Sequence, residues 1–184
     1  LSDGTSVYFD GPVTRAQLAE MIYTKLFPGE TASGATKFTD IGNSGDDDTA
    51  EGNDPVTDEQ WVAINVLANK GILSGTSETK FTPDGTVSYA QAAVLLWRAT
   101  GSKSCSNEWA EQVPYSDFSL SAWYGPAVMA LTAAGIITGT ADDSKPSFPA
   151  DDPIPAKGVN TLLNRYNATI VDSLPEGGVT RAAM

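Results

Sequence analysis

The sequence predicts an all-α protein built from helix-loop-helix units, and three observations carry that expectation. Ordered motifs recur along the chain, apolar residues return at three- and four-residue steps, and S/T-x-x-Q signals open helices. The repeat begins at Phe38-Thr39-Asp40-Ile41 and again at Tyr115-Ser116-Asp117-Phe118, each an aromatic, a hydroxyl residue, an aspartate and an apolar residue. Each leads into a stretch holding a tryptophan, Trp61 or Trp123.

The first helix of each unit follows. Trp61, Ile64, Leu67 and Ala68 form one apolar face. Ala63-Ile64 and Leu67 precede Lys70-Gly71-Ile72-Leu73-Ser74-Gly75, and Ala127-Val128 and Leu131 precede Ala134-Gly135-Ile136-Ile137-Thr138-Gly139. Gly71 and Gly135 sit where a helix needs a left-handed residue to end. Anchored on these glycines the units agree without a gap, except at the tryptophans. Trp61 lies ten residues before its glycine and Trp123 twelve, so the two indoles are expected to face different surroundings.

A loop then ends in Phe81-Thr82-Pro83-Asp84, matched by Phe148-Pro149-Ala150-Asp151. The second helix starts near Val87 or Ile154. Its stripe is Ala92, Leu95, Leu96 and Ala99 in one unit and Val159, Leu162, Leu163 and Tyr166 in the next. The start of the chain repeats this second half: Leu1-Ser2 matches Leu73-Ser74, Phe9 matches Phe81, and Val13-Thr14-Arg15-Ala16-Gln17 matches Val87-Ser88-Tyr89-Ala90-Gln91. Leu18, Met21, Ile22 and Leu26 form its stripe. Thr14 with Gln17 and Ser88 with Gln91 read as capping boxes.

These residues resemble the S-layer homology family. Its unit runs F-x-D-[VI], a helix with A-[IV]-x-x-L, G-[IVL]-[IVL]-x-G, F-x-P, and [IV]-T-R-A-E opening a second helix. The resemblance runs from Leu1 to about Asn167, with residues 1–37 as the second half of a first unit, 38–104 as a second unit, 105–167 as a third and 168–184 as a tail. It implies three units around a pseudo-threefold axis, the second helices forming a central bundle and the first helices forming prongs. It also implies grooves between prongs that bind secondary cell-wall polysaccharide, often carrying a pyruvyl ketal, with the arginine of T-R-A-E reaching the anionic sugar.

Only the first unit keeps that arginine, as Arg15; Tyr89 and Ala156 replace it in the others. The motif glutamate is Gln17, Gln91 and Gly158, and Pro155 replaces the third capping hydroxyl. The ligand-binding residues expected on this resemblance are Arg15 with Thr14, and Trp61, Trp123 and Tyr124 as stacking surfaces. The competing expectation for Arg15 is an ion pair with Glu20 or Asp10, and for Trp61 and Trp97 it is packing.

Charge and composition limit other functions. Lys+Arg is 11 and Asp+Glu is 23, a net charge of −12 that disfavours nucleic acid and anionic membrane surfaces. No run of about 18 apolar residues exists, so no membrane-inserted helix is expected. Histidine is absent, which removes the usual general base and the commonest metal ligand. Cys105 is the single cysteine; it lies in the polar stretch 101–107 and reads as a linker residue. Paired carboxylates are the remaining route to catalysis, but the best cluster lies in a loop with little apolar surrounding. No catalytic residue, metal or cofactor is expected, and the module is read as secreted to the bacterial cell surface.

Two segments fall outside the pattern. The acidic insertion 42–57 lacks the D-x-[DN]-x-[DN]-G order of a calcium loop and reads as a solvated surface loop. The tail holds Val179-Thr180-Arg181-Ala182-Ala183, either a remnant of the motif or chance similarity. An alternative function is structural assembly: a half-unit exposes apolar surface, which its own tail or a neighbouring copy would cover.

Overall fold

The computed structural model describes residues 11–42, 55–138 and 146–166. Asp10, Leu1, Ser2, Phe9, Gly139, the tail 168–184 and residues 43–54 of the acidic insertion lie outside the described residues. Within them the chain is helical, with no strand: α1 Arg15–Leu26, α2 Asp58–Asn69, α3 Tyr89–Ala99, a 3-10 helix Asn107–Gln112, α4 Gly125–Ala133 and α5 Ala156–Arg165. In the repeat, α1, α3 and α5 are second helices, and α2 and α4 are first helices.

The pseudo-threefold axis is built from backbone hydrogen bonds. Val13, Val87 and Ile154 each precede a second helix, and all three are buried. The Val13 N–H donates to the Ile154 carbonyl (3.0 Å), the Ile154 N–H to Val87 (2.9 Å), and the Val87 N–H to Val13 (3.1 Å). Three buried N–H groups and three carbonyls are thereby satisfied in a closed ring. The next layer repeats the pattern: Arg15, Tyr89 and Ala156 donate their N–H groups to the carbonyls of Gly85, Asp152 and Gly11. Each second helix thus has a free N-terminal donor capped by a loop of another unit.

Thr14 and Ser88 form the expected capping boxes, accepting from Gln17 and Gln91. Thr57 and Gln60 form a third at the start of α2, from the same T-x-x-Q signal, which the sequence reading passed over. Pro155 offers no side-chain cap, so α5 relies on the Gly11 carbonyl.

Gly71 and Gly135 end α2 and α4 at φ of +71° and +69°. The turn closes with the N–H groups of Ile72 and Ile136 on the Leu67 and Leu131 carbonyls, both at 2.9 Å. The following pairs, Ile72-Leu73 and Ile136-Ile137, fold back into the core.

Helix pairing crosses the sequence units. α2 packs on α1 and α4 on α3, so each prong joins a first helix to the second helix of the preceding unit. The second helices touch one another less extensively, α1 meeting α5 and α3. Leu18, Ile22, Ile64, Leu67, Leu96, Val128, Leu131 and Leu163 are buried as their periodicity requires.

Several expectations need correction. Leu95 and Leu162 are half-buried because they face grooves between units, and Leu26 and Ala99 are half-buried at helix ends. Cys105 is fully buried, because the polar stretch around it folds back over the core just before the 3-10 helix. Burial pushes its thiol pKa up, which disfavours the nucleophilic thiolate. Among the described residues no helix is long and apolar enough to cross a membrane.

Candidate functional site

The site grows from the first turn of α1. Thr14 is spent on capping: its Oγ1 accepts the Gln17 N–H at 3.2 Å while Gln17 Oε1 accepts the Thr14 N–H at 2.9 Å. That reciprocal pair fixes the helix start and so the origin of the Arg15 side chain.

Arg15 reaches across to the loop of the next unit. Its Nε donates to the Phe81 carbonyl at 2.8 Å and its Nη2 to the Ser74 carbonyl at 2.6 Å. The guanidinium carbon stands 4.6 Å from the centre of the Phe81 ring. Burial lowers the Arg15 pKa below its ordinary value, and the Asp40 charge opposes part of that effect. Two of five donors are used on carbonyls, so the fork is held rigid with donors to spare. The expected ion pair with Glu20 is not formed, since Glu20 accepts from Gln60 Nε2 at 3.1 Å across the α1–α2 contact.

The loop that receives Arg15 is itself latched. Asp40 of the Phe38-Thr39-Asp40-Ile41 motif accepts the N–H groups of Phe81 at 2.8 Å and Thr82 at 2.9 Å. Partial burial pushes the Asp40 pKa up, but the hydrogen bonds from Phe81, Thr82 and its own N–H, with the Lys80 charge, outweigh it and hold the pKa below the usual carboxylate value. The Phe38 ring backs the Phe81 ring at 5.5 Å. Gly75 is required for this closure, because a Cβ there would run into the Lys80 and Ser77 carbonyls and the Phe38 ring.

Arg15, Ser74 and Gly75 form one side of a solvent-open groove of about 190 Å³. Gln91, Val94, Leu95 and Arg98 of α3 form the other, and Trp123 of the third unit lies at its margin. Among the described residues two arginines line it and no acidic side chain does, in a chain of net charge −12. Trp123 is 62% exposed, the single large hydrophobic residue among those described to be so.

Of the five expected residues, Arg15 and Trp123 meet in this groove. Tyr124 stands behind, edge-on to Trp123 at 5.6 Å and against Phe148 at 5.0 Å. Thr14 stays with its cap. Trp61 does not line the groove: it packs in the prong, and its indole N–H donates to the Gly42 carbonyl at 3.2 Å. The offset between the tryptophans accounts for the difference, since Trp61 lies inside α2 whereas Trp123 lies in the turn before α4. Trp97 is half-buried, with its indole N–H on the Lys103 carbonyl.

Arg98 is the residue that sequence reasoning missed. A signal was present, because Arg98 and Arg165 follow Val87 and Ile154 by the same eleven residues. Each places Nη1 3.5 Å from a carbonyl after the helix-ending glycine, that of Ile72 or Ile136.

The sequence pattern of the S-layer homology domain matches residues 57–93 and 114–144. The chain is 32% identical over 87 residues to endo-1,4-beta-xylanase A of Thermoanaerobacterium saccharolyticum, covering 46% of this chain and 7% of that protein. It is 31% identical over 93 residues to an amylopullulanase of Thermoanaerobacterium thermosulfurigenes, covering 48% and 5%. It is 31% identical over 91 residues to exoglucanase XynX of Acetivibrio thermocellus, covering 48% and 8%. The chain thus spans less than a tenth of each of these relatives. Motif order and these matches agree that residues 57–93 and 114–144 carry S-layer homology repeats, the domain that anchors proteins to the cell wall.

Proposed function

We propose that this chain is a non-catalytic module of the bacterial cell surface that binds an acidic secondary cell-wall polysaccharide in the Arg15 groove. The observation that carries this reading is the convergence of Arg15, Arg98 and the exposed Trp123 on one groove that, among the described residues, has no acidic side chain in its lining. A carboxylate, such as that of a pyruvyl ketal, would take charge-assisted hydrogen bonds from the guanidinium donors. The indole would stack on the C–H face of a sugar. Thr14 and Tyr124 support the site by fixing Arg15 and Trp123. The partial match to long carbohydrate-active enzymes fits a module that holds an attached catalytic domain at the envelope.

The test is retention on purified wall polysaccharide with and without its pyruvyl groups. Arg15→Ala should abolish most retention and Arg15→Lys should restore it in part. Arg15 also ties two units together, so Arg98→Gln is the companion variant, lowering affinity with the α1 start intact. Added salt should weaken the interaction. Equal affinity of wild type and both variants by calorimetry would refute the proposal.

One observation favours the second reading, structural assembly. α1 and α3 each pack extensively on a first helix, whereas among the described residues α5 packs comparably on neither α2 nor α4. Size analysis separates the readings, a plain anchor being monomeric.

A further inference from the structure

The loops that receive α1 and α3 are built differently. Residues 81–85 receive α1: the Arg15 N–H donates to the Gly85 carbonyl at 2.8 Å and the Ala16 N–H to the Pro83 carbonyl at 3.0 Å. Residues 148–152 receive α3 in the same register, Tyr89 donating to Asp152 and Ala90 to Ala150, each at 3.1 Å. That register aligns Phe81 with Phe148, Thr82 with Pro149 and Pro83 with Ala150.

The place of proline differs, and it decides the state of one carbonyl. In the third unit the Ala150 N–H folds back on the Phe148 carbonyl at 2.8 Å. Pro149 stands between them, its ring fixing the negative φ that such a three-residue turn needs. In the second unit proline comes one position later. Pro83 has no N–H to give, and among the described residues no backbone donor takes the Phe81 carbonyl. Arg15 Nε donates to it instead, at 2.8 Å.

Thr82 turns that carbonyl. Its φ is +59°, a region that a β-branched residue rarely enters. Such a conformation persists only where its surroundings over-determine it. Here the Thr82 N–H donates to the Asp40 carboxylate at 2.9 Å, its hydroxyl pairs with Thr76 Oγ1 at 2.7 Å, and its carbonyl accepts the Gly85 N–H at 3.0 Å. Thr82 Cγ2 and Arg15 Cδ both flank Gly85, where a Cβ would meet them at 3.4 and 3.3 Å. The strained residue and the stem of the guanidinium therefore lie side by side.

We infer that Thr82 and Pro83 are positioning residues for Arg15. Proline at 83 leaves the Phe81 carbonyl without a backbone donor, and the left-handed Thr82 aims that carbonyl at Nε. An arginine at the start of a second helix is then not sufficient to make a fixed fork; the facing loop must also leave a carbonyl open. Tyr89 faces a loop whose corresponding carbonyl is already satisfied. Anchoring Nε restricts the side chain and leaves other donors for the groove. The consequence for glycan affinity rests on the Arg15 reading, whereas the anchoring itself is measured with no ligand present.

The experiment exchanges the two loops within the whole chain. The reporter is the Arg15 Nε–H resonance in 15N-correlated NMR, assigned by its loss in Arg15→Ala, and its rate of exchange with water. In the wild type that exchange should be about ten-fold slower than in free arginine, the contribution of one charge-assisted hydrogen bond. Thr82→Pro combined with Pro83→Ala supplies the backbone donor found in the third unit. It should return the rate to that of free arginine and lower retention on acidic wall polysaccharide. Thr82→Gly reaches positive φ freely and should keep the slow exchange. The reverse exchange guards against a variant that fails to fold. Tyr89→Arg alone should give an unprotected Nε–H, and Tyr89→Arg with Pro149→Thr and Ala150→Pro should give a protected one. Three outcomes overturn the inference: protection that survives the first exchange in a cooperatively melting protein, protection lost in Thr82→Gly, or equal protection in Tyr89→Arg with and without its loop changes. Loss of protection with unchanged glycan retention would uphold the positioning role and refute the glycan reading, so the two conclusions fail separately.

Discussion

Replacing Asp40 with asparagine tests whether the aspartate of the repeat motif is a latch that frames Arg15. Its carboxylate accepts two backbone N–H groups, at 2.8 and 2.9 Å. Hydrogen bonds to a charged acceptor contribute about 1.5–3 kcal/mol each, and the partial exposure of Asp40 reduces that. Asp40→Asn keeps one acceptor and turns an N–H₂ toward the other donor, so a loss of about 2 kcal/mol is expected. For a chain of this size that lowers Tm by roughly 4–8 °C. The Asp117 latch gives an internal comparison. Asp117 accepts the Phe148 N–H at 2.7 Å, but Pro149 replaces Thr82 and has no N–H to give. Asp117→Asn should therefore cost about half as much.

The pH dependence has a definite sign. A carboxylate whose folded pKa lies below its ordinary value of 3.8 contributes stability that is fully present above 3.8 and lost as pH falls through the folded pKa. The Tm difference between wild type and Asp40→Asn should thus be constant from pH 7 to 5 and close below 3.8. Thermal unfolding followed by circular dichroism measures it. Because the Phe81 carbonyl and ring hold Arg15, Asp40→Asn should also weaken acidic-glycan binding, and Asp117→Asn should not. A Tm change under 1 °C, or a difference that persists at low pH, would refute the latch.

Three further outcomes follow from the geometry. Gly71→Ala and Gly135→Ala should each cost about 1 kcal/mol in urea unfolding; a Cβ meets nothing within 4 Å at either site, so the cost is purely that of positive φ. Trp123→Ala should leave stability within about 0.5 kcal/mol and weaken glycan retention, whereas Trp61→Phe should lose about 1 kcal/mol with its Gly42 hydrogen bond and leave retention unchanged. Cys105→Ser should destabilise by about 1–3 kcal/mol by burying a hydroxyl in the core, and the native thiol should resist thiol reagents until the protein unfolds.

The helices and their ends were legible in the sequence because their causes are local. A left-handed glycine, a T-x-x-Q cap and a stripe at 3.6-residue spacing act within one or two turns. The partner of each stripe was not legible. The face of α2 built on Ile64 and Leu67 is plain in the sequence, yet nothing local states that it covers α1 rather than α3. The grooves follow from that pairing, which is why Leu95 reads as core and proves half-exposed, and why Arg98 goes unnoticed. Cys105 was misjudged for a related reason, its neighbours being polar while its own environment is made by distant residues.

The ring of Val13, Val87 and Ile154 has a consequence for how the protein acquires its structure. Its three members are separated by 74 and 67 residues, so no bond in it is local. Each valine or isoleucine offers one donor and one acceptor, and removal of any member strands a buried partner on each of the other two. A fragment ending before Ile154 would leave the Val13 N–H and the Val87 carbonyl without partners in an apolar centre. Single repeats cut from the chain are therefore expected to remain unfolded. The high contact order of the ring should make folding slow relative to helical bundles with neighbour-only contacts. The repeats resemble the links of a solenoid in sequence, but they are expected to melt as one cooperative body rather than fray from an end.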